Sequence, residues 1–181
     1  MSEPTIEIVP VGSVPAEILD GVPPAVQARF AGRLVQVAAA GIEPPAYAFS
    51  ATRQQYRAEP ILDRLAALPG DTERRLGVAD LDLFTPGLNF IFGQARRGGA
   101  AIIAVARLHP QFWGQPARPG LVLQRTIKEA VHELGHSYGL DHCGDPSCVM
   151  HFSNTLAETD RKTDQFCTKH AAQLQRSLSV A

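Results

Sequence analysis

Two histidines and a glutamate late in the chain have the spacing of a metal-dependent hydrolase. They are His132, Glu133 and His136, within the sequence HELGH. On a helix, side chains four residues apart lie on the same face, so both imidazoles can reach one ion. Glu133 would face the space beside that ion, where a carboxylate can accept a proton from an attacking water. By itself, however, the H-E-x-x-H pattern is short enough to occur by chance.

The pattern continues through Gly139 and His142 to H-E-x-x-H-x-x-G-x-x-H, which is far more specific. Gly139 lets the chain turn sharply off the helix, so that His142 can return as a third ligand. Three neutral imidazoles leave a fourth position open on zinc, and zinc lowers the pKa of a bound water to about 7. The sequence therefore predicts zinc-dependent hydrolysis of a peptide bond, with Glu133 as general base. A surface helix that merely carries histidines is the alternative.

A second candidate metal site consists of the chain's three cysteines and one histidine: Cys143, Cys148, Cys167 and His170. The spacings Cys-x4-Cys and Cys-x2-His fit a structural zinc, and four ligands leave no position open for chemistry. Such a zinc would stabilise a C-terminal lobe that has few large apolar residues. Two alternatives remain: free thiols beside an unrelated histidine, and a nucleic-acid-binding zinc finger, which the few basic residues here disfavour.

The segment HELGHSYGLDHCGDPSCVM, residues 132–150, resembles the archaemetzincins (archaelysin family), zinc metallopeptidases of the metzincin clan. Their pattern is H-E-x-x-H-x-x-G-x-x-H-C-x4-C-x-M, followed later by C-x-x-C. The segment DLDLFTPGLNFIFGQA, residues 80–95, also resembles the family's strands before the active-site helix. The resemblance implies two zinc ions per chain, one catalytic and one structural. It also implies that Met150 is the methionine of the Met-turn, packing beneath the catalytic metal.

Two positions depart from the family pattern. His170 stands where the family has its last cysteine, and the gap from Met150 to Cys167 is one residue shorter than usual. Histidine can also bind zinc, so the structural site is retained in the prediction. Phe152 stands where some metzincins have a tyrosine that ligates zinc or stabilises the transition state, and a phenylalanine can do neither.

The surrounding sequence predicts the elements that position these residues. Leu123, Ile127, Val131, Leu134 and Tyr138 recur every three or four residues, which predicts a helix whose apolar stripe lies opposite the histidines. Further helices are expected within 52–68 and 167–178, and another from residue 24, because GVPP at 21–24 interrupts the pattern of 15–30. Strands are expected at 6–11, 33–38, 77–83, 88–93 and 100–108, the last two joined as a hairpin by GQARRGG.

These elements favour an α/β (α+β) fold of the metzincin kind. It would have a mixed twisted sheet with an antiparallel edge strand, two supporting helices, the active-site helix and a small zinc-stapled C-terminal lobe. We expect a single metallopeptidase domain over residues 1–181, with an N-terminal sub-domain of about 1–139 and a C-terminal one of about 140–181.

Charge and composition limit the partners. The formal net charge is −1 and 19% of the residues are charged, whereas nucleic acids and anionic membranes usually require a basic excess. No apolar run approaches the roughly 20 residues of a membrane span, and no signal peptide is evident. We therefore expect a cytoplasmic monomer that binds no nucleic acid or membrane and cleaves short peptides. The rival hypothesis is a non-hydrolytic zinc protein that binds peptides or a protein partner through the same cleft.

Four other residues have open roles. His109 could line the substrate groove or simply be exposed at the end of a strand, and Trp113 could belong to the core or to the cleft wall. Glu129 could bond a ligand imidazole or pair with Arg125 one helical turn earlier. His151 is expected to be structural, since three histidines already complete the first site.

Overall fold

The computed structural model describes residues 3–180. Within them the elements in chain order are β1 (Thr5–Val11), α1 (Ala16–Arg29), β2 (Leu34–Val37), β3 (Phe49–Ser50), β4 (Gln55–Arg57), α2 (Ala58–Ala66), β5 (Arg74–Ala79), β6 (Leu83–Phe84), β7 (Gly93–Ala95), β8 (Ala101–Ala104), α3 (Leu121–Ser137), α4 (Leu156–Arg161) and α5 (Thr168–Val180). Short 3-10 helices lie at Ala46–Ala48, Ala106–Leu108 and Pro110–Trp113.

Five strands form one mixed sheet in the order β2-β1-β5-β8-β7. Neighbouring strands are parallel except β7, which runs antiparallel to β8 at the edge. Parallel strands are normally covered on both faces, and β5 and β8 are buried along almost their whole length. The predicted mixed sheet with an antiparallel edge strand is confirmed.

Helices cover both faces of the sheet. Alternate residues of each strand point to opposite sides, and on both sides these residues are apolar and need to be buried. Ile6 and Ile8 of β1 pack in one hydrophobic cluster with α1 and α3. Val9 and Val11 pack on the other face with α2. The first cluster also contains Met150, so the chain after α3 folds back onto the same core that supports the helix.

The first helix is continuous, and the predicted break near Gly21 is wrong. α1 runs through Pro23 and Pro24, each of which removes one backbone hydrogen bond. The carbonyls left without partners belong to Leu19 and Asp20, which are not buried and can be solvated. An added Cβ at Gly21 would lie 2.6 Å from a methyl carbon of α3, so the glycine allows the two helices to pack closely. Burial on the sheet and on α3 therefore outweighs the local signal.

Residues 49–57 form short strands where a helix was expected to begin. β3, β4 and β6 make a separate three-stranded sheet, and α2 begins only at Ala58, with Pro60 in its first turn. The predicted strand 77–83 is divided between β5 and β6. Only Gly93 of the predicted strand 88–93 belongs to β7, and β8 ends at Ala104, so the strand predicted to reach residue 108 is shorter. The apolar pattern of the sequence does not distinguish strands from extended segments outside a sheet ladder. Ile91 lies in such a segment, where it makes a single bridge to Leu83.

The helix that carries the catalytic motif matches its prediction closely. Val131, Leu134 and Tyr138 of its apolar stripe are buried. α3 ends at Ser137, and Gly139 has a φ of +90°, the left-handed conformation that ends helices and that glycine adopts most easily. The predicted final helix is present as α5. Among the described residues, no helix combines the length and hydropathy needed to cross a membrane.

Candidate active site and metal centres

The end of α3 and the loop after it bring three imidazoles together as a histidine triad (His132, His136 and His142). The Nε2 atoms of His132 and His136 are 3.0 Å apart. The His142 ring lies 5.5 Å from that of His132 and 4.7 Å from that of His136. One nitrogen of each ring lies within 4.8 Å of the others, so a single ion could contact all three.

Backbone carbonyls determine which nitrogens face one another. His132 Nδ1 lies 2.8 Å from the carbonyl oxygen of Val149, and His136 Nδ1 lies 2.7 Å from that of Leu140. Because a carbonyl can only accept, each Nδ1 carries the proton and each Nε2 presents a lone pair. Two bare acceptors 3.0 Å apart repel each other unless a cation lies between them. The donor set therefore fits a divalent metal such as zinc.

Burial keeps the triad in the form that binds metal. It lowers the pKa of His132 well below its usual range, and the Lys162 ammonium lowers it further. Burial also lowers the pKa values of His136 and His142. All three imidazoles are therefore neutral at physiological pH, and neutral imidazole is the ligand form.

Glu133 lies beside the triad, enclosed by the sheet edge. Burial raises the pKa of its carboxyl well above the usual range, and the Glu129 carboxylate raises it further. A Cβ added to Gly93 of β7 would lie 2.5 Å from Glu133 Cγ and 2.6 Å from its Oε1. The side chain of Glu133 therefore occupies space that only a glycine in the edge strand leaves free.

A cavity of about 260 Å³ opens over these residues. Three segments line it: residues 88–93 before and at the start of β7, the face of α3 that carries Glu129, His132 and Glu133, and residues 152–154. His109 lies outside this lining, and its Nε2 is 3.1 Å from Asp80 Oδ1. Of the two roles left open for His109, lining the groove therefore does not apply to this cavity. Trp113 is exposed and contacts Phe90, a residue of the cavity wall, so it does not belong to the core.

Met150 lies beneath α3 with no exposed surface. A Cβ added to Gly135, between the two helical histidines, would lie 2.5 Å from its Sδ. The neighbouring Val149 supplies the carbonyl that holds His132. Phe152 follows two residues later, with its ring 4.8 Å from that of His142. Met150 therefore packs against α3 at Gly135, and its role as the methionine of a Met-turn stays a prediction.

The second set of candidate ligands also converges, as a cysteine cluster (Cys143, Cys148, Cys167 and His170). His170 Nδ1 lies 3.2 Å from Cys167 Sγ and 3.9 Å from Cys148 Sγ, and the sulfurs of Cys143 and Cys167 are 3.8 Å apart. The sulfur separation is too long for a disulfide. All four ligand atoms lie within 4.8 Å of one another, which suits a closed four-ligand site.

Thiol acidity differs within the cysteine cluster. Burial opposes ionisation of Cys167, yet hydrogen bonds, led by the one with His170, lower its pKa to about 6. Burial raises the pKa of Cys148 to about 11. The backbone N–H of Cys167 also donates to Cys148 Sγ at 3.3 Å, a bond that stabilises thiolate character. His151 Nδ1 donates to the Cys143 carbonyl at 3.0 Å, which agrees with its expected structural role.

The structure gives Glu129 a partner that neither sequence hypothesis named. Its Oε1 lies 3.0 Å from the ammonium of Lys162, and Thr159 Oγ1 donates to it at 3.2 Å. Arg125 instead pairs through two hydrogen bonds with Asp160, so the alternative that paired it with Glu129 is wrong. The Lys162 side chain has no exposed surface. Nothing local identifies it, because a lysine among charged residues ordinarily indicates a solvated surface.

Comparisons with known proteins agree with this architecture. Residues 24–176 match the model of peptidase family M54. An archaemetzincin from Pyrococcus abyssi is 39% identical over 180 residues, covering 96% of each chain. The crystal structure of archaemetzincin from Methanopyrus kandleri superposes with a TM-score of 0.88 at 39% identity, covering 98% of this chain and 96% of the other. That of a zinc-dependent peptidase from Methanocorpusculum labreanum has a TM-score of 0.84 at 31% identity, covering 93% and 99%.

Fold, family match and structural neighbours together define a zinc-dependent metallopeptidase. The chain belongs to the archaemetzincins, peptidase family M54. The resemblance inferred from residues 132–150 and the predicted fold class are confirmed.

Proposed function

We propose that this chain hydrolyses peptide bonds with a catalytic zinc held by the Nε2 atoms of His132 and His136 and a ring nitrogen of His142, and with Glu133 as general base. One observation carries the proposal. Three imidazole nitrogens converge on one point beside the buried side chain of Glu133. Backbone carbonyls accept hydrogen bonds from Nδ1 of His132 and His136, so the Nε2 lone pairs of these two rings face that point.

When bound, zinc supplies Lewis acidity, which makes a water more acidic and polarises the substrate carbonyl. Glu133 accepts the proton of the attacking water and later delivers it to the leaving amine. The carbonyls of Val149 and Leu140 hold His132 and His136 in one tautomer and orientation. Residues 88–93 and 152–154 form the walls that position the peptide over α3.

The size of the cavity supports short peptides as substrates. About 260 Å³ accommodates one side chain and adjacent backbone, and β7 is an edge strand along which an extended peptide could pair. We further propose a second, structural zinc on the cysteine cluster, with His170 binding through Nδ1. The expected cytoplasmic location and monomeric state remain predictions.

The decisive experiment compares peptide turnover by the zinc-loaded protein and by Glu133→Gln. The variant keeps the side-chain shape but cannot accept a proton, so kcat should fall at least about 100-fold, as for loss of a general base. Zinc content should stay unchanged, because Glu133 is not a ligand.

Glu43→Gln, at an exposed glutamate, is the matched control and should keep full activity. Turnover by Glu133→Gln equal to the parent would contradict the role of Glu133. Peptide binding by the parent protein without any turnover would favour the non-hydrolytic alternative.

A further inference from the structure

A line of aromatic rings connects the wall of the cavity with the protein surface. Phe92 and Phe90 both line the cavity, and their ring centroids are 5.2 Å apart. Phe90 contacts Trp113 edge-to-face at 6.4 Å, and Trp113 contacts Phe112 in the same way at 5.4 Å. The aromatic shelf, defined as Phe90, Phe112 and Trp113, is therefore continuous with the cleft.

The outer half of the aromatic shelf is open to solvent. Phe112 is 45% exposed and Trp113 is 44% exposed. Adjacent exposed aromatic rings are uncommon on a surface that binds nothing, and contiguous apolar patches often mark interaction sites.

Contacts behind the rings hold the aromatic shelf in place. The Arg107 guanidinium lies 4.3 Å from the Phe90 ring centre and 4.7 Å from that of Phe112. Asp82 neutralises this charge through two hydrogen bonds of 2.6 and 2.8 Å. Trp113 Nε1 donates to the Arg107 carbonyl at 2.9 Å. The polar groups of Arg107, Asp82 and Trp113 are thus already paired, and the surface left for a ligand is apolar.

We propose that the outer rings of the aromatic shelf, Phe112 and Trp113, bind a large apolar side chain of the peptide substrate, outside the cavity that flanks the scissile bond. The proposal rests on the proposed function insofar as the ligand is a peptide lying in the same cleft. An extended peptide advances about 3.3–3.6 Å per residue. The separations of Phe92 from Phe90 and of Phe90 from Trp113 limit the span from Phe92 to Trp113 to about three residues of such a peptide.

Other occupants fit less well. A stable dimer buries about 800 Å² on each partner, far more than two partly exposed rings provide. An anionic membrane is a poor partner, because the chain has a net charge of −1 and Arg107, the arginine behind the aromatic shelf, is paired with Asp82. Continuity with the cavity through Phe90 therefore favours the peptide.

Trp113 is the only tryptophan in the sequence, so its fluorescence reports directly on the aromatic shelf. We would titrate zinc-loaded Glu133→Gln with ten-residue alanine-based peptides that each carry one phenylalanine, placed at successive positions. The control is the same peptide without phenylalanine, called the parent peptide. At one or two positions we expect a blue shift of Trp113 emission and binding about fivefold to tenfold tighter. The proposal is overturned if no peptide binds, or if all peptides change the emission equally.

Kinetics provide an independent test. For the preferred peptide, Trp113→Ala and Phe112→Ala should lower kcat/KM about tenfold, mainly by raising KM, and this loss should be several times larger than the one for the peptide that lacks phenylalanine. Tyr47→Ala removes an 80% exposed ring that lies outside the cavity lining, and it should change neither peptide.

The two proposals fail separately. Selective Trp113 responses without turnover in the zinc-loaded parent would refute the peptidase proposal and leave the aromatic shelf standing. Efficient turnover with equal kcat/KM for all peptides, by the unmutated protein and by both shelf variants, would refute only the proposal that the aromatic shelf binds substrate.

Discussion

At the scale of single residues, the position of the Glu133 carboxylate depends on a neighbour that has no side chain. The Cβ position of Gly93 is filled by Glu133 Cγ and Oε1, at 2.5 and 2.6 Å. Contacts below 3.0 Å are not tolerated, so a larger residue in β7 would force the carboxylate or the strand to move. Gly93 is thus a positioning residue that acts through Glu133.

We predict that Gly93→Ala lowers kcat about 100-fold, because displacing a catalytic group by about 1 Å has an effect of that size. Zinc content and the melting temperature should change little, since β7 is a short edge strand. Steady-state kinetics and elemental analysis would measure both effects.

Gly144→Ala is the matched control, because an added Cβ there meets no atom within 4 Å. An active Gly93→Ala would mean that β7 yields readily and does not position Glu133. Loss of zinc together with activity would instead indicate general damage to the site.

At the scale of elements, two ion pairs, one of them buried, fasten α3 to the chain around α4. Lys162 contacts Glu129 at 3.0 Å, and Arg125 contacts Asp160 at 2.7 Å while also donating to the Leu108 carbonyl. The Lys162 and Glu129 side chains are 0% and 4% exposed. Removing one partner of such a pair leaves the other charge buried and unpaired.

We predict that Lys162→Met lowers the free energy of unfolding by about 3–5 kcal/mol, the usual effect of breaking a buried pair. Adding Glu129→Gln should restore much of this loss, because it removes the unpaired carboxylate. Urea unfolding of the zinc-loaded protein would measure both changes.

Arg161→Met, at the exposed neighbouring residue, should alter the free energy of unfolding by less than about 0.5 kcal/mol. A loss below about 1 kcal/mol for Lys162→Met would show that the Lys162–Glu129 pair contributes little to this junction.

At the scale of the whole molecule, one hydrophobic cluster joins both ends of the chain. Ile6 of β1 and Leu174 of α5 belong to it, together with Val149 and Met150. We propose that residues 1–181 form a single metallopeptidase domain, with sub-domains of about 1–139 and 140–181. The C-terminal sub-domain contributes few apolar residues of its own, so the cysteine cluster and this shared core must hold it in place.

We predict two zinc ions per chain by elemental analysis, falling to one in His136→Ala and to one in His170→Ala. His170→Ala should also lower the melting temperature and expose residues 140–181 to proteases, because the structural site would no longer bind. His136→Ala should affect proteolysis less, since α3 is supported by the sheet.

His109→Ala, outside both metal clusters, should keep two zinc ions. A single zinc in the parent protein that survives His136→Ala would assign all metal binding to the cysteine cluster and remove the basis for peptidase activity. Two zinc ions in His170→Ala would exclude His170 as a ligand.

Local sequence determined the features that depend on helical geometry or on short spacing. His132 and His136 share a face of α3 because they are four residues apart, Gly139 ends the helix because it can adopt a positive φ, and the family pattern followed from residues 132–150. Tertiary packing decided the rest. The continuity of α1 through Pro23, the pairing of Glu129 with Lys162 and the contact of Phe90 with Trp113 each depend on which surfaces meet when the sheet and helices assemble. Such contacts join residues far apart in sequence or override local propensity, so no local pattern encodes them.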